Sequence, residues 1–274
     1  MSCGQLALQR AGIKFEKYFA SEVDKFAIKV TQSNFPETIQ IGDVRNVKAS
    51  DLPEIFLLQG GSPCQSFSFA GKRKGMSTKD NIQIVSFEQY VQLKEEGFEF
   101  EGQSYLFWEF VRLVKEVKPK YFLLENVIMT KNWETVISRT LGINPIEINS
   151  SFVSAQNRRR LYWTNIGSEE VGFFNDFECV IQQPKDKGIL LKDILEKEVD
   201  PKYFLSKKRI EAFELNSQKM IEASNGFEFS PTEGFEKGKS LTTKNGGRMT
   251  DNFIVHNTQP RTSTSGKGGT GHLC

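Results

Sequence analysis

One thiol, three carboxylates and two guanidiniums in this chain have the types and spacing to act on a ligand together. Cys64 follows an apolar run at 55–58 and the pair Gly60-Gly61, in the string Gly-Gly-Ser-Pro-Cys-Gln. A buried parallel strand that ends this way delivers a thiol to the carboxyl edge of a sheet, where open α/β folds bind ligands. The glycines permit close backbone approach, and Pro63 stiffens the segment before the sulfur. A bare Pro-Cys would equally suit a small buried cysteine in a strand-to-helix turn. The surrounding residues favour chemistry. Glu22, Asp43 and Glu125 each close a predicted strand, as Cys64 does, so all four are expected along one sheet edge.

Each carboxylate alone would suit a helix N-cap. Their serial placement points to a nucleoside instead: the acid after the second strand for a ribose diol, the next for an adenine amine. Glu125 follows Tyr121-Phe122-Leu123-Leu124 and is expected in an apolar wall beside the thiol. Desolvation there would raise its pKa and let it donate a proton. Arg158 and Arg160 alternate along an extended segment and so share a face. Two guanidiniums on one face suit a phosphate, or a carbonyl gaining charge during reaction; a surface basic patch is the plainer alternative. Residues 238–248, which include Arg248, and 260–271 mix Gly, Ser, Thr, Lys and Arg. Such loops suit a phosphate backbone, or else simply solvent.

The elements that must position these groups follow from apolar periodicity. Helices are expected at 4–12, 24–34, within 84–96 and at 106–117. Strands are expected at 15–21, 39–41, before Cys64, at 120–124, 146–152 and 161–166. The alternation predicts an α/β fold with a doubly wound, mostly parallel sheet. Residues 72–103 form a polar insertion with no evident role. Past residue 167 the periodicity weakens, giving a division into residues 1–167 and a smaller, irregular region at 168–274.

Composition excludes other classes. The 274 residues are 38% hydrophobic and 26% charged, an ordinary globular balance, with 23 phenylalanines to fill a core. A net charge of +2 neither demands nor excludes nucleic acid, because a local patch matters more than a total. Four scattered cysteines without a CxxC pair indicate a reducing, cytoplasmic setting, and two histidines leave no zinc constellation. No apolar run reaches the length of a membrane span. A helix begins at once with no strand before it, and the chain closes on a glycine-rich loop, so a fragment is expected.

These motifs carry a resemblance. Residues 60–71, the Glu125-Asn126-Val127 triplet and the Gln156-x-Arg158-x-Arg160 pattern resemble three signature blocks of the DNA (cytosine-5) methyltransferases, in the family's order. Residues 20–23, 42–45 and 106–110 match three more. Several blocks are worded like the animal de novo branch, while Pro-Cys-Gln and Gln-Asn-Arg-Arg-Arg are more like the phage and bacterial modification enzymes. The resemblance covers residues 1–167, and implies the Rossmann-like fold of enzymes that use S-adenosylmethionine. It implies that Cys64 attacks C6 of a cytosine flipped out of double-stranded DNA, that Glu125 grips N3 and the exocyclic amine, and that Arg158 and Arg160 hold the base carbonyl and a phosphate. For the cofactor it implies Glu22 at the ribose, Asp43 at the adenine amine, Val44 at the adenine face, Val23 as a further contact, and Pro63 and Leu106 in the pocket wall. Ser2, Cys3 and Gly4 stand where the first block, around the methionine part, would end. Gln65, Ser66, Gln156 and Arg248 are expected on DNA, residues 168–274 as a partial target-recognition region, and the protein as a monomer without metal. The family's first strand and late blocks have no counterpart here, so a DNA-binding remnant without catalysis is an alternative. A tRNA cytosine methyltransferase is another, although that branch's Cys-Phe-Thr signature is absent from the tail. A thiol protease would need a histidine near Cys64, and His256 and His272 both lie in the tail.

Overall fold

A computed structural model describes residues 2–64, 67, 76–171, 176–223, 228–240, 248–249, 251–256 and 272–273. The chain divides into two compact units, residues 1–147 with 160–181, and residues 148–159 with 182–274.

The first unit opens with helix α1 (Cys3–Arg10), which ends as Gly12 turns to a positive φ of 70°. Strand β1 (Phe19–Ala20) follows, then α2 (Lys25–Asn34) and β2 (Ile39–Gln40). Asp24 starts α2 by accepting from the N–H groups of Phe26 and Ala27, the N-cap role its position predicts. β1 and β2 pair in parallel. Strand β3 (Leu57–Gly61) carries the chain toward Cys64. Next come α3 (Phe87–Glu95), α4 (Phe107–Val117), β4 (Tyr121–Asn126) and α5 (Lys131–Leu141). The short β5 (Ile143–Asn144), β6 (Ile146–Asn149), β7 (Arg159–Thr164), β8 (Ser168–Val171) and β9 (Asp176–Cys179) complete the series. One sheet has the order β3-β4-β7-β6, with β3 and β4 parallel and β7 antiparallel to β4. Three short strands, β5, β9 and β8, form another.

The core gathers on α4. Phe107, Trp108, Phe110, Val111 and Leu113 are buried along it, an apolar stripe of helical period. Phe110 lies against β3 so closely that a Cβ on Gly60 would stand 2.5 Å from its ring. Gly60 is glycine because the helix needs that space. The segment read as a polar insertion is part of this core. Its Met76 and Ile84 are fully buried, and Tyr90 stacks on Trp108 with ring centroids 6.4 Å apart.

Elsewhere the elements differ in extent from the expected ones. Only two residues of 15–21 pair as a strand, and 146–152 is strand to Asn149 and then a 3-10 turn. Helix α5 and the β8–β9 hairpin were not expected from the periodicity. The second unit contains a further unexpected helix, α6 (Lys207–Glu222), and a small sheet of β10 (Thr232–Glu233), β11 (Ile254–His256) and β12 (His272–Leu273). Phe213, Phe229 and Phe253 form its aromatic cluster, with centroids 5.4–5.6 Å apart. The patch at 260–271 lies outside the described residues, as does most of 238–248.

Candidate active site

β3 ends at Gly61, and the register of the parallel pair sets Gly61 opposite Glu125 at the end of β4. The Glu125 carboxylate lies over that glycine, its Oε2 3.7 Å from where a Cβ would be. Three residues beyond Gly61 stands Cys64, a free, half-buried thiol. Two buried side chains fix the connecting loop. Asn126 Nδ2 donates to Ser62 Oγ at 2.9 Å, and Ser104 Oγ donates to the Pro63 carbonyl at 2.9 Å. Asn126 is 1% exposed and its Oδ1 takes the Val127 N–H, so the amide is held from both sides. Neither residue stood out as a positioning group in the sequence. The signal available for Asn126 was its place inside the Glu-Asn-Val triplet, and for Ser104 there was none.

Glu125 does not sit in a sealed apolar wall. Its side chain is 31% exposed, and its Oε1 accepts from Arg160 Nε at 2.9 Å. This pair follows from register. β7 places Tyr162 opposite Glu125, and Arg160 is the same-face diagonal neighbour. Arg158 belongs to the second unit, just before β7 begins, and its N–H donates to Asn149 Oδ1 at 3.1 Å. Gln156 is half-buried there and bridges in parallel to Gly238. Arg248 is exposed, with its N–H on Asp251 Oδ2 at 2.8 Å. Gln65 and Ser66 lie outside the described residues.

Acidic groups follow β1 and β2 as well. Glu22 follows β1, and its Oε1 accepts from the N–H groups of Val23 and Asp24 at 2.8 and 2.9 Å. That fixes the carboxylate at the strand end, beside a Val23 side chain that is 69% exposed. Asp43 follows β2 and caps the 3-10 turn Val44–Asn46 through the Arg45 N–H. Its carboxylate also takes the Arg45 guanidinium, with Nη2 at 2.5 Å, and those Arg45 bonds hold its pKa below the usual carboxylate range. Val44, Pro63 and Leu106 are half-buried, Leu106 at the start of α4. A nucleoside fits such residues: carboxylate acceptors suit hydroxyls and an exocyclic amine, and the exposed Val23 and half-buried Val44 suit apolar contact with it. At the chain start, Ser2 takes a left-handed conformation before α1, Cys3 is exposed, and a Cβ on Gly4 would collide with the Gln59 side chain and the Tyr18 hydroxyl.

The structure therefore brings Cys64, Glu125 and Arg160 to the ends of adjoining strands. Comparison with known proteins identifies the family. The profile of C-5 cytosine-specific DNA methylases matches residues 2–95 and 91–141. The type II methyltransferase M1.ScrFI of Lactococcus lactis subsp. cremoris is 32% identical over 71% of this chain and 46% of its own length. The orphan methyltransferase M.Rho11sI of Bacillus phage rho11s is 30% identical over 97% of this chain and 56% of its own. The chain thus spans about half the length of these curated relatives. Among solved structures, a triple mutant of Spodoptera frugiperda DNMT2 superposes with a TM-score of 0.57 at 19% identity, covering 94% of this chain and 72% of that one. That likeness shows the α/β methyltransferase fold.

Proposed function

This chain belongs to the C-5 cytosine-specific DNA methylase family, and on that premise we propose that it methylates C5 of a cytosine flipped out of double-stranded DNA, through a covalent Cys64 adduct. The observation that carries the reading is the arrangement at the ends of β3 and β4. Cys64 leaves one strand on a loop pinned by Asn126 and Ser104, while Glu125 closes the next with Arg160 against it.

Cytosine C5 is a poor nucleophile until electrons are pushed onto it. The Cys64 thiolate forms a bond to C6, and the ring becomes an enamine nucleophilic at C5. Glu125, carrying a proton at N3 and accepting from the exocyclic amine, favours cytosine and stabilises the charge that develops. Arg160 orients Glu125 and, with Arg158, holds the base carbonyl and a neighbouring phosphate. S-adenosylmethionine, when bound, supplies an electrophilic methyl group. Glu22 and Val23 would hold its ribose, Asp43 and Val44 its adenine, and Pro63 and Leu106 the pocket wall, with Ser2, Cys3 and Gly4 toward the methionine part. Loss of the C5 proton then breaks the sulfur–C6 bond and returns the thiol. Residues 1–167 carry this chemistry, and residues 168–274, with Gln156 and Arg248, contribute target recognition, with Gln65 and Ser66 facing the DNA. The protein acts as a monomer.

A duplex carrying 5-fluorocytosine tests the proposal, because fluorine at C5 blocks the last proton loss. The chain should form a denaturation-resistant adduct that requires S-adenosylmethionine. Cys64→Ser should abolish the adduct and lower methyl transfer by about a thousandfold or more, with DNA affinity retained. DNA binding without any adduct would sink the catalytic reading in favour of a non-catalytic DNA-binding protein.

A further inference from the structure

Arg112 on α4 is absent from the site as read in the sequence, yet it holds the turn that presents Asp43 and Val44. Its Nη2 donates to the Val44 carbonyl at 2.9 Å and its Nη1 to the Val47 carbonyl at 3.0 Å. These carbonyls begin and follow the 3-10 turn that Asp43 caps. The Arg112 side chain is 17% exposed, and its third edge, Nε, donates to Glu109 Oε2 at 2.6 Å. Glu109 is fully buried. Its other oxygen takes the Tyr90 hydroxyl at 2.5 Å and the Lys94 ammonium at 2.6 Å, both from α3. Glu116, one helical turn on, accepts from Nη1 at 2.8 Å and completes the grip.

A planar guanidinium with three of its edges fixed points in one direction. Lysine cannot reproduce this, because one rotatable ammonium cannot span two carbonyls while meeting a carboxylate. The arrangement runs from α3 through Glu109 and Arg112 to the backbone behind Asp43. We infer that Arg112 is a positioning residue for the base-recognising end of the cofactor pocket, and that α3 serves to hold it there through Glu109. This gives the segment at 72–103 a role: Tyr90 and Lys94 saturate the carboxylate that orients Arg112. The inference rests on the proposal that Asp43 and Val44 meet the adenine. It goes further in stating that discrimination of the purine's 6-position depends on a residue that never touches the base.

Calorimetric titration of the purified chain with S-adenosylhomocysteine and its deaminated analogue, S-inosylhomocysteine, separates the possibilities. The wild-type chain should prefer the adenosyl ligand by about tenfold, the worth of one hydrogen bond to a charged acceptor. Arg112→Lys keeps a positive charge beside Glu109 and should bring that ratio close to one. Tyr90→Phe removes one donor from Glu109 without touching the turn, and should lower the ratio about two- to threefold. An unchanged ratio in a folded Arg112→Lys chain overturns the inference, even if both affinities fall together, since Arg112 would then be structural only. If that variant does not fold, an unchanged ratio in Tyr90→Phe overturns it instead. A wild-type chain that binds neither ligand would refute the cofactor reading itself. Wild-type binding without discrimination would refute only the Asp43 assignment and what is built on it.

Discussion

In the first unit, Tyr90, Phe107, Trp108 and Leu124 are buried to 1% exposure or less in one continuous cluster around α4. In the second, three phenylalanines make a small cluster, and much of the remaining order comes from main-chain bonds between distant segments. Gly238 donates to the Ala155 carbonyl at 2.6 Å and accepts from the Asn157 N–H at 2.7 Å. Lys192 donates from its N–H to the Gly234 carbonyl, also at 2.7 Å. Lys237 adds an ammonium to the carbonyls of Ser151 and Ser154 at 2.7 and 3.3 Å. One unit is built by burial, which scales with apolar area; the other leans on directional bonds whose net worth is individually modest. The unit carrying Cys64 and Glu125 is the one with the deeper core, which suits a site needing sub-ångström placement.

The contrast breaks most sharply at Glu109. Burial works to raise its pKa, but hydrogen bonds from Lys94, Tyr90 and Arg112 outweigh it and hold the carboxyl below the usual range. Glu109→Gln should destabilise the first unit by on the order of 3 kcal/mol, because it leaves the largely buried Arg112, and with it Lys94, without an anionic partner. The difference should be full above the ordinary glutamate pKa of about 4.3, where folded and unfolded chains are both ionised. It should shrink as pH falls through the lower folded value, because the unfolded chain takes up the proton first. Denaturant titrations of both proteins across that range check the sign, and a gap that widens in acid would remove the cluster from the account.

Gly60→Ala probes the same core at a smaller scale. The added methyl meets the Phe110 ring, so about 1–3 kcal/mol should be lost and α4 should shift on β3. Amide exchange should quicken along residues 57–61, and an unaltered rate would mean the ring yields freely. The smallest effect belongs to the second unit. Lys237→Met removes the carbonyl contacts and an ion pair with Asp186 on a side chain 20% exposed, for about 1 kcal/mol. Its signature should be faster exchange at the backbone of residues 150–157, with residues 57–61 unaffected.

Much of the site was legible because its residues break periodic patterns. An apolar run ending in Gly-Gly-Ser-Pro-Cys, and another ending in a glutamate, announce strand ends whatever the rest of the fold. Helix α4 was legible through its wide apolar stripe, and the start of α2 through Asp24. What escaped has a physical reason in each case. Helix α6 buries only Ser217 among its sixteen residues, so it has no apolar stripe to read. Helix α5 buries only Trp133 and Ile137, with Val136 and Leu141 half-buried beside them, among polar and charged residues. Strands β8 and β9 carry glutamates at Glu169, Glu170 and Glu178, which speak against a strand in isolation. Arg112 escaped because a basic residue on an amphipathic helix reads as solvent-facing. Its partners are the carbonyls of Val44 and Val47, and main-chain acceptors leave no trace in side-chain types.

The contact between Gly60 and Phe110 has a bearing on inheritance. The residue before the strand's last step and an aromatic on a distant helix occupy one volume, so neither can be altered as an independent letter. A larger residue at 60 is accommodated without loss only where the ring at 110 shrinks or α4 moves away, so the two positions are expected to change together. The thiol loop is thereby tethered to the history of a helix that supplies no reacting atom.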